Sequence, residues 1–239
     1  MEKIAEGKTK IVYPMPDLEK VTLKFKDDIT AFDGKKHDLI KDKGVINAAI
    51  TTKLFRYLEK EGVSTHLVDL PQPGVMVARN LKMILLEVVC RNIAAGHILE
   101  RLPGFKKGDS FPKPIVEFFL KNDSLHDPIL NDDHIQVLAL ANKREIAEMK
   151  RLALKTNEFL KPYLLKKEMI LADFKLEFGR DSKGKIIVGD ELDCDSMRLW
   201  DIKTGEILDK DVYRQGAPLE KVTETYLKCY RKIVGGEPK

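Results

Sequence analysis

Hydrophobic and polar positions change period several times along the chain, and each change predicts an element. Residues 8–13 (KTKIVY) and 21–26 (VTLKFK) alternate, predicting two strands joined by the turn PMPDLEK. Ile46, Ile50, Leu54, Tyr57 and Leu58 then recur at helical spacing and stop at Gly62, predicting a helix over 45–60. THLVDL, GVMVARN and KMILLEVVCRN read as strands punctuated by PQPG. Within them MILLEVV (83–89) is nearly all apolar, which predicts a buried strand at a lobe junction. The clearest helix spans 142–164: Asn142 and Glu145 form a capping box, and Ile146, Met149, Leu152, Ala153, Thr156, Phe159 and Leu160 share one face. A last helix carries Val222, Tyr226, Cys229 and Ile233. The expected class is α+β: a mainly β lobe with one helix over 1–80, and an α+β lobe over 81–239.

The most informative alternation lies at 170–201. Ile170, Ala172, Phe174, Leu176 and Phe178 fall on one face of a strand, and Asp173, Lys175 and Glu177 on the other. RDSKGK reads as a tight turn and IIVGDEL as the returning antiparallel strand. That hairpin brings Glu177 and Asp190 to the same end of the pair, within about one residue of register. Two carboxylates so placed repel unless a cation lies between them, and Mg²⁺ typically takes one or two carboxylates plus substrate phosphates. Lys175 and Arg198 in the same stretch can meet an anionic substrate. The plainer alternative is that the acids serve turns and strand ends while Lys175 pairs with its neighbours.

Composition narrows the classes. The chain has 239 residues, 33% of them charged, with a formal net charge of +4. Basic and acidic residues are interspersed and form no basic block, so nucleic-acid binding is not expected. Cys90, Cys194 and Cys229 are far apart and form no CxxC pair, so neither a disulfide framework nor a zinc ribbon is indicated. MEKIAEGKTK lacks an apolar core and is no secretory signal, and no run approaches the roughly 18 apolar residues of a membrane span. A cytoplasmic protein is expected.

Other candidates carry weaker signals. EGKTK is not a P-loop, since the first glycine of GxxxxGK would fall at Glu2. Lys8 and Lys10, two apart on a strand, share a face and can reach phosphates, or they form an ordinary solvated edge. The charge-rich, turn-rich segment 27–44 contains Asp33 and Gly34, which either end a loop at a cleft or only make a turn. Met83 and Leu85 can line a pocket for a planar base or belong to the core. Arg91 is followed by small residues and a glycine, which permit close backbone approach to a ligand. Lys121, Asp123, His126 and Asp127 follow an apolar strand, and DKDVYRQG (209–216) supplies Lys210 and Arg214.

Together these segments resemble the phosphoribosylaminoimidazole-succinocarboxamide synthase (SAICAR synthetase) family. EGKTKIVY, TAFDG, EVVCRNIAAGH, FFLKND, HDP, LADFKLEFG, GDE…DSMRLWD and DKDVYRQ are similar to family segments in the same order. The resemblance implies two α+β lobes around an ATP cleft, somewhat similar to ATP-grasp enzymes and kinases. It implies ATP-dependent joining of carboxyaminoimidazole ribonucleotide to L-aspartate, and a homodimer or higher homo-oligomer. On the same ground Lys8 and Lys10 hold ATP phosphates, Met83 and Leu85 receive adenine, and Glu177 and Asp190 bind Mg²⁺. Asp33, Arg91, His97, Asp195, Ser196, Arg198 and Arg214 hold the ribonucleotide and aspartate. Lys121, Asp173, Lys175 and Lys210 surround the reacting groups. His97 stands where the family pattern has serine, and DELDCDS departs from a more proline-containing form, so Asp193 and Cys194 receive no role. Another ligase or small-molecule kinase, or a nucleotide-binding module without turnover, is the rival reading.

Overall fold

The structure is a computed structural model that describes residues 2–32 and 34–238. Ala5–Glu6 (β1), Lys10–Pro14 (β2) and Lys20–Phe25 (β3) open the chain, followed by the hairpin Asp28–Ala31 (β4) and Lys36–Leu39 (β5). Helix α1 (Lys43–Lys60) leads to Leu67–Gln72 (β6), Val75–Arg79 (β7), the long strand Lys82–Ile93 (β8), Ser110–Leu120 (β9) and Ile129–Leu130 (β10). Helices α2 (Asp132–Val137) and α3 (Lys143–Leu165) precede Met169–Arg180 (β11), Ile186–Gly189 (β12) and Met197–Asp201 (β13). Helices α4 (Asp211–Arg214) and α5 (Leu219–Ile233) close the described fold.

One sheet has the order β1-β2-β3-β7-β6; the other runs β10-β9-β8-β11-β12, with β13 also paired to β11. All these pairings are antiparallel. The two sheets meet where the His66 amide donates to the Val188 carbonyl (2.8 Å) and the Arg79 amide to the His66 carbonyl (2.7 Å). Helix α1 packs on β3, β6 and β7 and on α3 and α5, so one apolar core runs through both sheets.

Local chemistry fixes both long helices. At α3, the Asn142 side chain accepts from the Arg144 and Glu145 amides, and Glu145 accepts from the Asn142 amide. That reciprocal box satisfies amides that the first turn leaves without partners. At α1, the Asp27 carboxylate accepts from the Gly44 amide (2.9 Å), placing negative charge at the helix start. Gly44 is required by contact: a Cβ there would lie 2.7 Å from the Phe25 carbonyl oxygen.

Several sequence expectations need correction. Lys8 lies before β2, which starts at Lys10, so the two lysines do not share a strand face. The turn-rich segment 27–44 contains the β4–β5 hairpin, pinned to α4 by Lys36 donating to the Tyr213 carbonyl and Tyr213 donating to Asp38. β8 is not buried on both faces: Ile84, Leu86, Val88 and Cys90 are buried, whereas Met83 and Leu85 are 38% and 54% exposed. The period of two in an antiparallel strand explains that split. On β11 the alternation shifts register between Leu171 and Asp173, which buries Leu171 in place of Ile170. The extra residue of a bulge does this. The acids on the charged face of β11 are buried too: Asp173 and Glu177 are both 3% exposed.

Candidate active site

The site grows out of the β8–β11 register. Glu177 lies opposite Glu87 and Asp173 opposite Arg91, so acids and bases of two neighbouring strands share one face. On the other side of β11, Glu177 pairs with Gly189, one residue before Asp190. Asp190 has φ 59°, a left-handed conformation that is uncommon for aspartate and turns the chain sharply after β12.

Lysines hold this corner together. Lys10 contacts Asp190 (2.7 Å) and Glu191 (2.5 Å). Lys175 contacts Glu87 (2.9 Å) and Glu177 (3.0 Å) and lies 3.9 Å from Asp190. Lys121 reaches in from the end of β9 to Glu177 (2.6 Å). Burial pushes the Glu177 carboxyl up and the nearby Asp190 charge adds to that, against the pull of Lys175 and Lys121. Burial alone would raise Asp190 too, but Lys10 and Lys175 outweigh it and hold that carboxyl well below the usual range. Two neighbouring acids are thus pushed apart, a pattern concentrated at functional sites.

Arginines dominate the other half. An unbroken ladder of ion pairs runs Arg101–Glu117 (2.6 Å), Glu117–Arg91 (2.6 Å), Arg91–Asp173 (2.9 Å), Asp173–Arg198 (2.9 Å), Arg198–Asp211 (2.8 Å) and Asp211–Arg214 (2.5 Å). Its centre is buried, while Arg101 and Arg214 at the ends are 33% and 37% exposed. Gly96 allows this packing: it has φ 65°, and a Cβ would stand 2.7 Å from the Arg198 guanidinium. The small residues after Arg91 therefore make room for Arg198.

The loop after Asp190 joins the two halves. Carboxylate oxygens of Glu191, Asp193 and Asp195 converge within 4.8 Å. Lys10 sits on Glu191, and Lys43, fully buried at the start of α1, sits on Asp195 at 2.6 Å. The Tyr226 hydroxyl donates to the other oxygen of Asp195. Ser196 turns inward, its hydroxyl accepting from the Asp193 amide at 2.8 Å. Lys210 is buried at the start of α4, with its amide bonded to the Cys194 carbonyl (3.0 Å).

The sequence candidates therefore divide. Lys10, Lys121, Lys175, Glu177 and Asp190 form the lysine corner, Arg91, Asp173, Arg198 and Arg214 the ladder, and Asp195, Ser196 and Lys210 the joining loop. Lys8 stands apart, paired with exposed Asp123 at 2.6 Å. Met83 lies beside Gly179 and Gly189, where a Cβ on either glycine would crowd its thioether, and Leu85 is exposed two residues further along the same strand. His97 is exposed, and its carbonyl accepts from Arg101 (3.3 Å). Asp33 lies outside the described residues. Sequence reasoning missed Lys43, Glu87, Arg101, Glu117, Asp211 and Tyr226. A lone Glu87 inside an apolar strand was the one available signal; the others become visible only through their partners. A groove of about 550 Å³ lined by Val45, Leu70, Pro73, Tyr230 and Glu237 lies away from these charges and offers no cation for a phosphate.

Two antiparallel sheets flanked by helices, carrying buried lysines, arginines and carboxylates on one face, define an α+β enzyme equipped to hold phosphates. The SAICAR synthetase family matches residues 3–233, and the chain belongs to that family. It is 48% identical over 231 residues to the phosphoribosylaminoimidazole-succinocarboxamide synthase of Sulfurisphaera tokodaii, with 97% of each chain covered. Among solved structures it superposes on a SAICAR synthetase in complex with ADP with a TM-score of 0.93 and 44% identity, covering 100% of both chains. A phosphoribosylaminoimidazole-succinocarboxamide synthase from Ehrlichia chaffeensis gives a TM-score of 0.93 at 37% identity, covering 98% of this chain and 99% of the other.

Proposed function

We propose that this chain joins 5-amino-1-(5-phospho-D-ribosyl)imidazole-4-carboxylate to L-aspartate, cleaving ATP to ADP and phosphate, as a step of purine biosynthesis. The observation that supports this reading best is the juxtaposition of the lysine corner and the arginine ladder on one strand, β11. A carboxylate resists attack by an amine because oxide would have to leave. Phosphorylation gives an acyl phosphate, from which phosphate leaves readily. The amine of aspartate then attacks the acyl carbon, the C–N bond forms, the C–O bond to phosphate breaks, and the amine proton passes to solvent. Phosphoryl transfer needs chiefly alignment and charge neutralisation.

Each group of residues takes one of these tasks. Lys10, Lys121 and Lys175 neutralise phosphate charge, with Lys8 at the outer edge, and Met83 and Leu85 receive the adenine. Glu177 and Asp190 offer the all-oxygen, anionic donor set that a hard cation requires, and they fit Mg²⁺. Bound there, Mg²⁺ would supply further neutralisation of the triphosphate. Arg91, Arg198 and Arg214 present forked donors to the phosphate and carboxylate of the ribonucleotide, with His97 and Ser196 completing that side. Asp173 holds Arg91 and Arg198 in position and Asp211 holds Arg214, while Asp195 holds Lys43. The chain divides near residue 80 into two lobes and works as a cytoplasmic homo-oligomer, a dimer or larger.

An ADP-release assay with all three substrates, and with each omitted in turn, tests the reading. Release should require all three. Release that persists without aspartate favours a small-molecule kinase; none under any combination favours a binding module. Light scattering of the purified chain tests the oligomer.

A further inference from the structure

Four lysines stand deep in the site, and three of them have anionic partners. Lys10 holds Asp190 and Glu191, Lys43 holds Asp195, and Lys175 holds Glu87 and Glu177. Lys210 is 9% exposed, yet its ammonium makes no ion pair and no side-chain hydrogen bond with any described residue. The residue is nine-tenths buried, and a cation so enclosed with no described counter-ion in hydrogen-bond reach favours an anionic ligand.

Among the described residues no anion is free to pair with Lys210. The charged groups that face it are Asp195 and Glu191 on the joining loop, Lys43 on α1 and Arg214 on α4. Asp195 has one oxygen on Lys43 and the other on Tyr226, and Glu191 is held by Lys10. Burial, with Lys43 and Arg214 adding to it, pulls the Lys210 ammonium below its ordinary range despite Asp195. An arriving carboxylate would relieve that strain. The backbone of Lys210 is fixed, its amide on Cys194 and its carbonyl accepting from Tyr213 (3.0 Å) and Arg214 (3.1 Å), so the side chain starts from a rigid base. Position matters as much: Lys210 faces Glu191 of the lysine corner and neighbours Asp211 of the arginine ladder. It therefore stands between the phosphate-activating half and the ribonucleotide half, where the incoming amino acid must lie.

We propose that Lys210 selects the dicarboxylic amino-acid substrate by pairing with one of its carboxylates. This rests on the ligase reading above, and the test separates the two. Hydroxylamine is a small neutral nucleophile that captures acyl phosphates as hydroxamates and has no carboxylate to be recognised. With ATP and the imidazole ribonucleotide, the wild-type enzyme should form hydroxamate. In Lys210→Met, kcat/KM for aspartate should fall about 10- to 100-fold further than hydroxamate formation does, the loss of one charged hydrogen bond. The fall should lie mainly in KM. Inhibition by succinate, which carries the carboxylates without the amine, should weaken in parallel, and Lys210→Arg should recover part of both. A matching loss of hydroxamate in Lys210→Met and Lys210→Arg would place Lys210 on the nucleotide or ribonucleotide and overturn the assignment. So would a fall in kcat with KM for aspartate and succinate inhibition unchanged. No hydroxamate and no ADP release from the wild-type enzyme would remove the ligase reading itself.

Discussion

The two ends of the charged face on β11 solve the problem of buried charge differently. Around Glu177 and Asp190 the cations are lysines, compact charges on flexible stems that can exchange one anion for another. Around Asp173 they are arginines, whose planar forks share each carboxylate between two neighbours in a fixed geometry. The first arrangement suits a triphosphate that arrives, transfers one group and leaves changed. The second suits a substrate that must stay in one orientation throughout. One strand carries both because its side chains repeat every two residues, and Glu177 lies only four positions after Asp173.

Removing charge from the lysine corner should have the largest effect. Asp190→Asn and Glu177→Gln should each lower kcat by about 10³-fold with the circular dichroism spectrum unchanged, since pre-set charge stabilisation is commonly worth 10²–10³ per group. A near-wild-type rate at limiting Mg²⁺ would exclude that residue from metal binding.

Acid should distinguish the two ends next. His66, buried near Asp190, has its pKa lowered to about 4 by burial, with Lys10 opposing Asp190. Its neutral form is the one the fold accepts, so unfolding takes up a proton between pH 4 and 6.5. This contribution is complete above pH 6.5 and shrinks as pH falls towards 4, by about 3 kcal/mol over the whole window. Urea unfolding of wild type and His66→Gln at pH 4.5 and 7.5 measures it as the difference between the two slopes. The arginines of the ladder do not titrate in this range and keep their charge.

Within the ladder the effects should be smaller and geometric. Arg198→Lys keeps the charge but loses the fork, and kcat/KM for the ribonucleotide should fall about 10- to 100-fold. Gly96→Ala, which brings a methyl group to 2.7 Å from the same guanidinium, should give a milder version of that defect. If Gly96→Ala instead raises KM for ATP alone, Arg198 belongs to the other half. The smallest effects are expected at the rim. Lys8→Ala should raise KM for ATP a few-fold and leave aspartate unaffected, with stability changed by less than about 1 kcal/mol because its pair with Asp123 is exposed. His97→Ser should retain most activity; complete loss would give the imidazole an essential role.

Much of this organisation was legible in the order of residues. The α1 and α3 stripes, the Asn142–Glu145 cap and the Glu177–Asp190 hairpin rest on local periodicity and turn chemistry, which short segments carry within themselves. The failures have one cause. β8 looked buried throughout because composition does not reveal which face another layer covers. Lys8 and Lys10 looked equivalent because spacing says nothing about where a strand begins. Lys43 at a helix start and Tyr226 on an amphipathic helix gave no local sign of converging on Asp195.

By itself, then, the sequence determined the elements, their capping, and the set of charged side chains that share a strand face, because these depend on contacts within a few residues. Tertiary structure decided which charge neutralises which, for Lys10 meets Glu191 across 181 positions and Arg91 meets Asp173 across 82. It also decided that Lys210 would be buried without an ion-pair partner among the described residues. Burial and pairing are properties of neighbours brought together by the fold, and the energy of an ion depends on them more than on the residue's place in the chain.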